Sequence, residues 1–360
     1  MDAVETLLRD LTEAPGVSGY EGEVRAIIRR YLAPVASIEQ DRLGSIICRL
    51  NGASDGPRVM LAGHMDEIGF MVRLITEEGF VKFVPLGGWW NQVMLAQRVV
   101  IKTAKGDLAG ITGAKPPHLI SAKERDTMVD KKEMYIDIGA TSADEARALG
   151  VQPGDPIIPV SEFAVMGNPK TYLAKALDDR VGCAVFVQVM QELASEQGET
   201  SLPNIVYGVG TVQEEVGLRG ATTSVELVKP DVAIVLEADI AGDVPGIKPE
   251  ECATKLGKGP ALVVYDARMI PNAKLRRLVM DTAAENGIPL QLSALEGGGT
   301  DGGAIHIHAG GVPVVVIGVP ARHIHSHAGI IHRDDYDAAV RLVKLVVRKL
   351  DQATVTGLTG

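Results

Sequence analysis

Cysteine is scarce in this chain. The 360 residues hold three, Cys48, Cys183 and Cys252, odd in number, scattered and without CxxC spacing. That argues against a disulfide framework and a thiolate metal site, and all three read as small buried apolar residues. No apolar run reaches transmembrane length and no basic, apolar, small-residue leader is present, so a cytoplasmic protein without membrane contact is expected. Basic clusters are also missing. With 36 Lys and Arg against 46 Asp and Glu, the net charge is -10, which argues against a nucleic-acid partner. There is no internal repeat. Apolar residues make up 46% of the chain, enough for a large core and two domains at this length.

Against these absences stands a pattern that occurs five times. The apolar run Val59-Met60-Leu61-Ala62 stops at Gly63 and is followed by His64-Met65-Asp66. Coming after Gly56-Pro57, the run reads as a buried strand. Residues i and i+2 of a strand face one side, so His64 and Asp66 can share one space. A carboxylate that takes one ring N–H leaves the other nitrogen as a lone-pair donor. Alone, the pair reads as well as a surface histidine beside a solvated acid.

The pattern continues at Asp178-Asp179, which enter an amphipathic stretch over residues 181–193, where one acid can serve as a helix cap. Glu214-Glu215 close the apolar run 204–212, Glu237 and Asp239 follow 232–236, and His323-Ile324-His325-Ser326-His327 follow 312–319 after a short link. Acids and imidazoles at the ends of apolar runs point to an α/β sheet with a ligand site outside its strand ends. Imidazole and carboxylate without thiolate suit zinc, cobalt or manganese in a hydrolytic site. Two imidazoles and three carboxylates suffice for two adjacent divalent ions if one carboxylate bridges them. A further acid then remains as a base.

The texture of the chain changes twice. Residues 4–11 and 21–32 carry apolar positions at helical spacing, and 41–50 and 58–62 look extended. From residue 67 to about 165 come short strands and glycine turns, at 80–84, 98–101, 134–138 and 156–160, with a helix only at 142–149, capped by Ser142. Thereafter helices and buried strands alternate again, up to a helix over 334–350 and a tail, 353–360, expected to be loose. All five islands lie in the outer parts. The reading is therefore an α/β catalytic domain in two pieces, residues 1–66 and 166–360, with a β-rich insertion at 67–165.

Five motifs taken together resemble the M42 family of metallo-aminopeptidases, the tetrahedral aminopeptidases, over nearly the whole chain. They are Gly63-His64-Met65-Asp66-Glu67-Ile68-Gly69, Ala176-Leu177-Asp178-Asp179-Arg180, Gln213-Glu214-Glu215-Val216-Gly217, Gly299-Thr300-Asp301 and Pro320-Ala321-Arg322-His323-Ile324-His325-Ser326. The resemblance implies an aminopeptidase-type α/β domain with an inserted barrel-like domain for subunit contacts, peptide substrates, and assembly through dimers into dodecameric shells. It implies two divalent ions per chain, zinc or cobalt before manganese. His64 and Glu237 would hold one, Glu215 and His325 the other, and Asp178 would bridge. Glu214 would be the general base, Asp66 the orienting partner of His64, and the Asp178–Asp179 peptide cis. One departure stands out. The family usually has Asp where Glu237 aligns, and Asp239 faces the same side of a continuing strand, so spacing alone does not choose. Glu237 is favoured because it follows the strand directly and because Asp243-Val244-Pro245-Gly246 then keeps the family register.

Six of the eight histidines crowd into residues 306–332. His325, before Ser326, is the ligand candidate, and His323 stands where an aromatic is more usual. His306 is expected to line the site, and His308, His327 and His332 to be surface or core residues. Asp301 reads equally as a substrate-positioning acid or a buried turn acid. Loops at 256–260 and around Pro116-Pro117-His118 are expected to shape the substrate pocket, and Trp89 and Trp90 a subunit contact. The expected chemistry is removal of N-terminal residues by a metal-bridging water activated by Glu214. The alternatives are a metal-dependent deacylase or amidohydrolase, a glycanase, which needs two carboxylates and no metal, and a non-catalytic scaffold.

Overall fold

The computed structural model describes residues 1–50, 56–196 and 201–359. The chain opens with helices α1 (Ala3–Glu13) and α2 (Gly22–Leu32), each burying one apolar face. Strands β1 (Ala36–Gln40), β2 (Ile46–Leu50) and β3 (Arg58–His64) follow. The expected extended run over 41–50 is broken at its start. The Asp41 carboxylate accepts the N–H groups of Leu43, Gly44 and Ser45, which folds a tight loop ahead of Ile46.

Six strands then close a barrel: β4 (Gly69–Ile75), β5 (Val81–Leu86), β6 (Arg98–Thr103), β7 (Gly106–Gly113), β8 (Tyr135–Asp137) and β9 (Pro156–Pro159), in the order β4-β5-β8-β7-β6-β9. Phe70, Phe83, Ile101, Ile136 and Ile157 fill it. Two short helices interrupt these strands, α3 (Ala122–Arg125), which the pattern did not suggest, and α4 (Ala143–Ala148), which Ser142 caps as expected.

The rest of the chain alternates: β10 (Ala164–Val165), β11 (Thr171–Ala174), α5 (Leu177–Glu196), β12 (Ile205–Thr211), α6 (Arg219–Val228), β13 (Val232–Ile240), β14 (Ala261–Tyr265), α7 (Ala273–Glu285), β15 (Gln291–Ala294), α8 (Gly302–Ile305), β16 (Val314–Arg322), β17 (Gly329–His332), α9 (Arg333–Lys349) and α10 (Gln352–Gly357). With β1, β2 and β3 these strands make one sheet in the order β1-β2-β12-β3-β13-β16-β17-β11-β10, with β14 and β15 branching from β16. Its centre, β12-β3-β13-β16, is parallel, with Val209 and Val235 flanking Ala62 and Leu236 beside Ile317. One core packs α1, α2, α5, α7 and α9 on the sheet, and a second packs α6 and α8 on its other face. Strands covered on both faces read as unbroken apolar runs, the very signal their sequences carry. No helix among the described residues is long and apolar enough to cross a membrane.

Two features bear on the site. A Cβ on Gly182 would stand 2.4 Å from the Leu236 carbonyl oxygen, and one on Gly63 only 3.0 Å from the Cys183 nitrogen. These two glycines let the start of α5 lie against the ends of β3 and β13. The tail, expected to be loose, is instead α10, which places Val355 and Leu358 in the main core, while the Leu358 carbonyl accepts an N–H from Asn272 at 3.1 Å. Two apolar residues one turn apart supply the buried face that a free tail lacks. Gly360 lies outside the described residues.

Candidate active site

The polar islands converge outside the carboxyl ends of the parallel strands. His64 is the last residue of β3, Glu237 lies within β13, and Asp178 stands at the non-helical start of α5, joined to Asp179 by a cis peptide bond. Glu214 and Glu215 sit on the turn after β12, which opens with Gln213 at φ 56°, and His325 follows β16 at φ 59°. Both positive φ values turn the chain sharply where a strand would carry on.

Asp178 lies between the two imidazoles. Its Oδ1 is 3.1 Å from His64 Nε2 and its Oδ2 is 3.4 Å from His325 Nε2. Glu237 Oε2 and Glu214 Oε2 are each 3.8 Å from His64 Nε2, and Glu215 Oε1 is 3.6 Å from His325 Nε2. The far side of each ring is tied to main chain. His64 Nδ1 lies 2.9 Å from the Asp66 carbonyl oxygen, and His325 Nδ1 lies 2.7 Å from that of Gly88, on the loop after barrel strand β5. Each Nδ1–H therefore donates to a carbonyl, which fixes the orientation of the ring and turns Nε2 to the carboxylates, where the neutral ring offers a lone pair. Asp66 orients His64 chiefly through its carbonyl, since its Oδ1 stands 3.5 Å from the ring.

Carboxylates crowded against each Nε2 call for a positive charge between them. Two sets of atoms, those of His64, Asp178 and Glu237 and those of Asp178, Glu215 and His325, each lie within 4.8 Å of one another and could hold a metal ion. Glu215 Oε1 is buried and has no hydrogen-bond partner, an omission that an ion at the second set would repair. Burial, reinforced by neighbouring acids, pushes the Glu214 and Glu237 carboxyls well above the usual range and that of Glu215 up to about 7. Burial presses the imidazoles the other way, but the surrounding carboxylates prevail, lifting His64 well above its ordinary value and His325 to about 9. Hard, anionic oxygen and imidazole donors crowded in this manner fit divalent cations.

The neighbouring acids and cations have structural work. Asp179 accepts the N–H groups of His64 and Gly182, each at 3.0 Å, and so caps the start of α5. The next residue, Arg180, is fully buried and donates to the carbonyls of Leu11, Ala14 and Gly16, which closes the end of α1. Lys175 pairs with Glu67 at 2.6 Å in the interior. A cleft beside Asp178, Glu215 and His325 is lined by Ile68, Leu177, Ile324 and Ser326.

Of the two acids that spacing could not separate, Glu237 joins the cluster, whereas Asp239 turns to Ser293 at 2.9 Å. Asp301 is fully buried and accepts a hydrogen bond from Thr211. His306 bonds the Gly302 carbonyl and His332 accepts the Asp334 N–H at a helix start. His327 is buried against Trp89, with ring centroids 5.0 Å apart. Trp89 is partly buried, stacking on Phe70 and donating to the Gly69 carbonyl, and Trp90 is largely exposed. The 256–260 loop ties back to Asp335 through the Gly257 and Gly259 N–H groups, and Pro117 begins an exposed turn on the barrel; the cleft has other walls. Gly88, Ser18 and Glu21, which touch the site residues or their main chain, were not foreseen; no spacing marks them.

Residues 44–342 match the family described as M42 glutamyl aminopeptidase. Aminopeptidase FrvX of Escherichia coli K12 is 46% identical over 94% of this chain and 93% of its own length. A crystal structure of a TET aminopeptidase from a marine sediment archaeon of the Thaumarchaeota is 50% identical, with a TM-score of 0.96 over 99% of this chain and 98% of that one. The Pyrococcus horikoshii TET1 peptidase, described as able to assemble into a tetrahedron or a large octahedral shell, is 32% identical, with a TM-score of 0.87 over 97% of this chain and all of that one. M42 peptidases are metal-dependent, and the two donor sets give this chain the means. The chain belongs to the M42 family, and it is an aminopeptidase, a hydrolase of peptide bonds.

Proposed function

We propose that this aminopeptidase works with two divalent ions, one held by His64, Glu237 and Asp178, the other by Glu215, His325 and Asp178, with Glu214 as general base. The observation that carries the reading is Asp178, whose two oxygens each face the Nε2 of a different histidine. When bound, the ions supply a water acidic enough to attack near neutral pH and a Lewis acid for the carbonyl. The donor set admits zinc, cobalt or manganese.

Glu214 belongs to neither donor set, yet its Oε2 stands within 3.8 Å of His64 Nε2, at the edge of the shared space. There it takes the proton from the attacking water and returns it to the leaving amine. Burial, which raises its proton affinity, suits it to both tasks. His64 and His325, each locked by an Nδ1 hydrogen bond, keep their lone pairs aimed without reorganisation. Asp66 holds the base's own main chain.

The substrates are peptides with a free N-terminus. The six barrel strands between Gly69 and Pro159 support reading residues 67–165 as an inserted unit, its last residues, Ala164 and Val165, returning to the edge of the large sheet. The likeness to TET1 supports self-association into a closed shell, and the family resemblance adds dimers as the units of a dodecamer. The unpaired Cys48, Cys183 and Cys252 suit a reducing cytoplasm.

The test is hydrolysis of aminoacyl-p-nitroanilides and their N-acetylated counterparts by metal-stripped protein refilled with zinc, cobalt or manganese. The expected result is metal-restored cleavage of the free-amine substrates alone, abolished in Glu214→Gln. No release of p-nitroaniline with any metal, but release of acetate from the acetylated substrates, would mark a deacylase instead.

A further inference from the structure

The pair Glu214-Glu215 poses a geometric problem. Successive residues of a strand point to opposite faces, yet both glutamates enter one space, Glu214 toward His64 and Glu215 toward His325. The turn that achieves this starts with Gln213 in the left-handed region, φ 56°, a conformation costly for a residue with a Cβ. Something must hold it.

Three consecutive main-chain N–H groups of this turn end on two buried carboxylates. Gln213 donates to Glu21 Oε1 at 3.1 Å, Glu214 to Asp66 Oδ1 at 2.9 Å and Glu215 to Asp66 Oδ2 at 3.2 Å. Glu21 Oε1 also accepts the Gly19 N–H at 2.7 Å, and the Ser18 hydroxyl donates to Asp66 Oδ2 at 2.6 Å. Glu21 is 3% exposed and Ser18 5%. Glu21 is, moreover, the N-cap residue of α2, and its side chain makes no cap hydrogen bond. An N-cap side chain ordinarily serves its own helix; this one is directed away, to a residue 192 positions later. The loop that carries Ser18 and Glu21 is itself anchored, because the Gly16 carbonyl accepts from both the Glu67 N–H at 2.9 Å and Arg180 at 3.1 Å.

We propose that Ser18 and Glu21 are positioning residues of the aminopeptidase reaction, forming with Asp66 a clamp on the Gln213–Glu215 main chain that sets the general base and a metal-binding glutamate in register. Neither touches the reacting atoms. Glu21 acts as an acceptor of two N–H groups, and Ser18 fixes the Asp66 carboxylate whose two oxygens divide the Glu214 and Glu215 amides between them. The inference rests on the roles proposed above for Glu214 and Glu215.

The test uses the full chain with Glu21→Ala, Glu21→Gln and Ser18→Ala, beside Glu214→Gln. Kinetics are read on an aminoacyl-p-nitroanilide, and cobalt is titrated calorimetrically into metal-stripped protein. Loss of a partner that supports a site typically costs about 10–100-fold. Glu21→Ala is expected to lose that much in kcat with KM little moved, and to bind cobalt more weakly. Glu21→Gln, whose amide oxygen still accepts, is expected to recover most of both. Unchanged kcat and cobalt affinity in a folded Glu21→Ala would overturn the clamp, as would equal losses in the Ala and Gln variants. If Glu21→Ala does not fold, Ser18→Ala decides in its place, and full activity there overturns the proposal. A fully active Glu214→Gln refutes the assignment of the base instead, which the cobalt titration of the Glu21 variants leaves separately readable.

Discussion

His325 Nδ1 lies 2.7 Å from the carbonyl oxygen of Gly88, so an imidazole just beyond a central strand of the sheet is oriented by a loop that joins two strands of the barrel. A Cβ at position 88 would stand 2.9 Å from that nitrogen. Gly88→Ala should displace the ring, weaken cobalt binding and reduce kcat by about 10–100-fold, the range for partners that support a metal-binding histidine. Because residue 88 is exposed, its thermal unfolding should be close to that of the parent. Kinetics, calorimetry and a thermal scan on one preparation settle this.

Gly182→Ala should act on stability first. Its Cβ would meet the Leu236 carbonyl oxygen at 2.4 Å and both Asp179 carboxylate oxygens at 2.5 Å. Helix α5 must back away from β13, at about 1–3 kcal/mol for overpacking. Urea denaturation of the metal-stripped protein measures it, and an unchanged midpoint would show that the helix yields without cost.

Leu358→Ala tests the docked tail. The side chain is 6% exposed within the main core, and truncating a buried leucine costs about 2–5 kcal/mol, with the lower end apt for a terminal helix. A parental unfolding midpoint would mean that Leu358, the C-cap residue of α10, contributes no packing energy.

Glu21 gives a pH dependence. Burial, then the nearby Asp66 charge, raises its carboxyl from 4.5 to about 7. The folded state thus binds a proton more tightly than the unfolded chain, and the contribution to stability, complete below about pH 4.5, is lost as pH rises toward 7. A shift of this size corresponds to at most about 3 kcal/mol. Glu21→Gln should therefore unfold at a higher temperature than the parent at pH 8 and at nearly the same temperature at pH 5. The same gap at both pH values would refute the shift.

Much of this was legible in the sequence, for a physical reason. Strands β3, β12, β13 and β16 are buried on both faces, so their sequences are unbroken apolar runs and their ends are marked by the polar residues that enter the site. The barrel was less visible. In β7, Asp107, Ala109 and Ile111 are exposed on a strand with three glycines, so no apolar alternation announces it. Glu237 and Asp239 could not be separated by period, since both face one side; the Ser293 hydroxyl, from a distant strand, decides where Asp239 turns. Ser18, Glu21 and Gly88 were silent because they act through main-chain groups, which any sequence supplies. The tail was misjudged because polar Thr and Gln around Val355 and Leu358 masked a single buried turn.

The proposed donors run from His64 to His325 in a chain of 360 residues. A nascent chain on the ribosome accordingly carries the first imidazole and the acids long before the second imidazole, on the segment after β16, is made. On the proposed assignment, a chain that stops before residue 325 has one donor set at most. It could bind one ion through His64, Asp178 and Glu237 and still lack the pair of ions on which the proposed reaction depends.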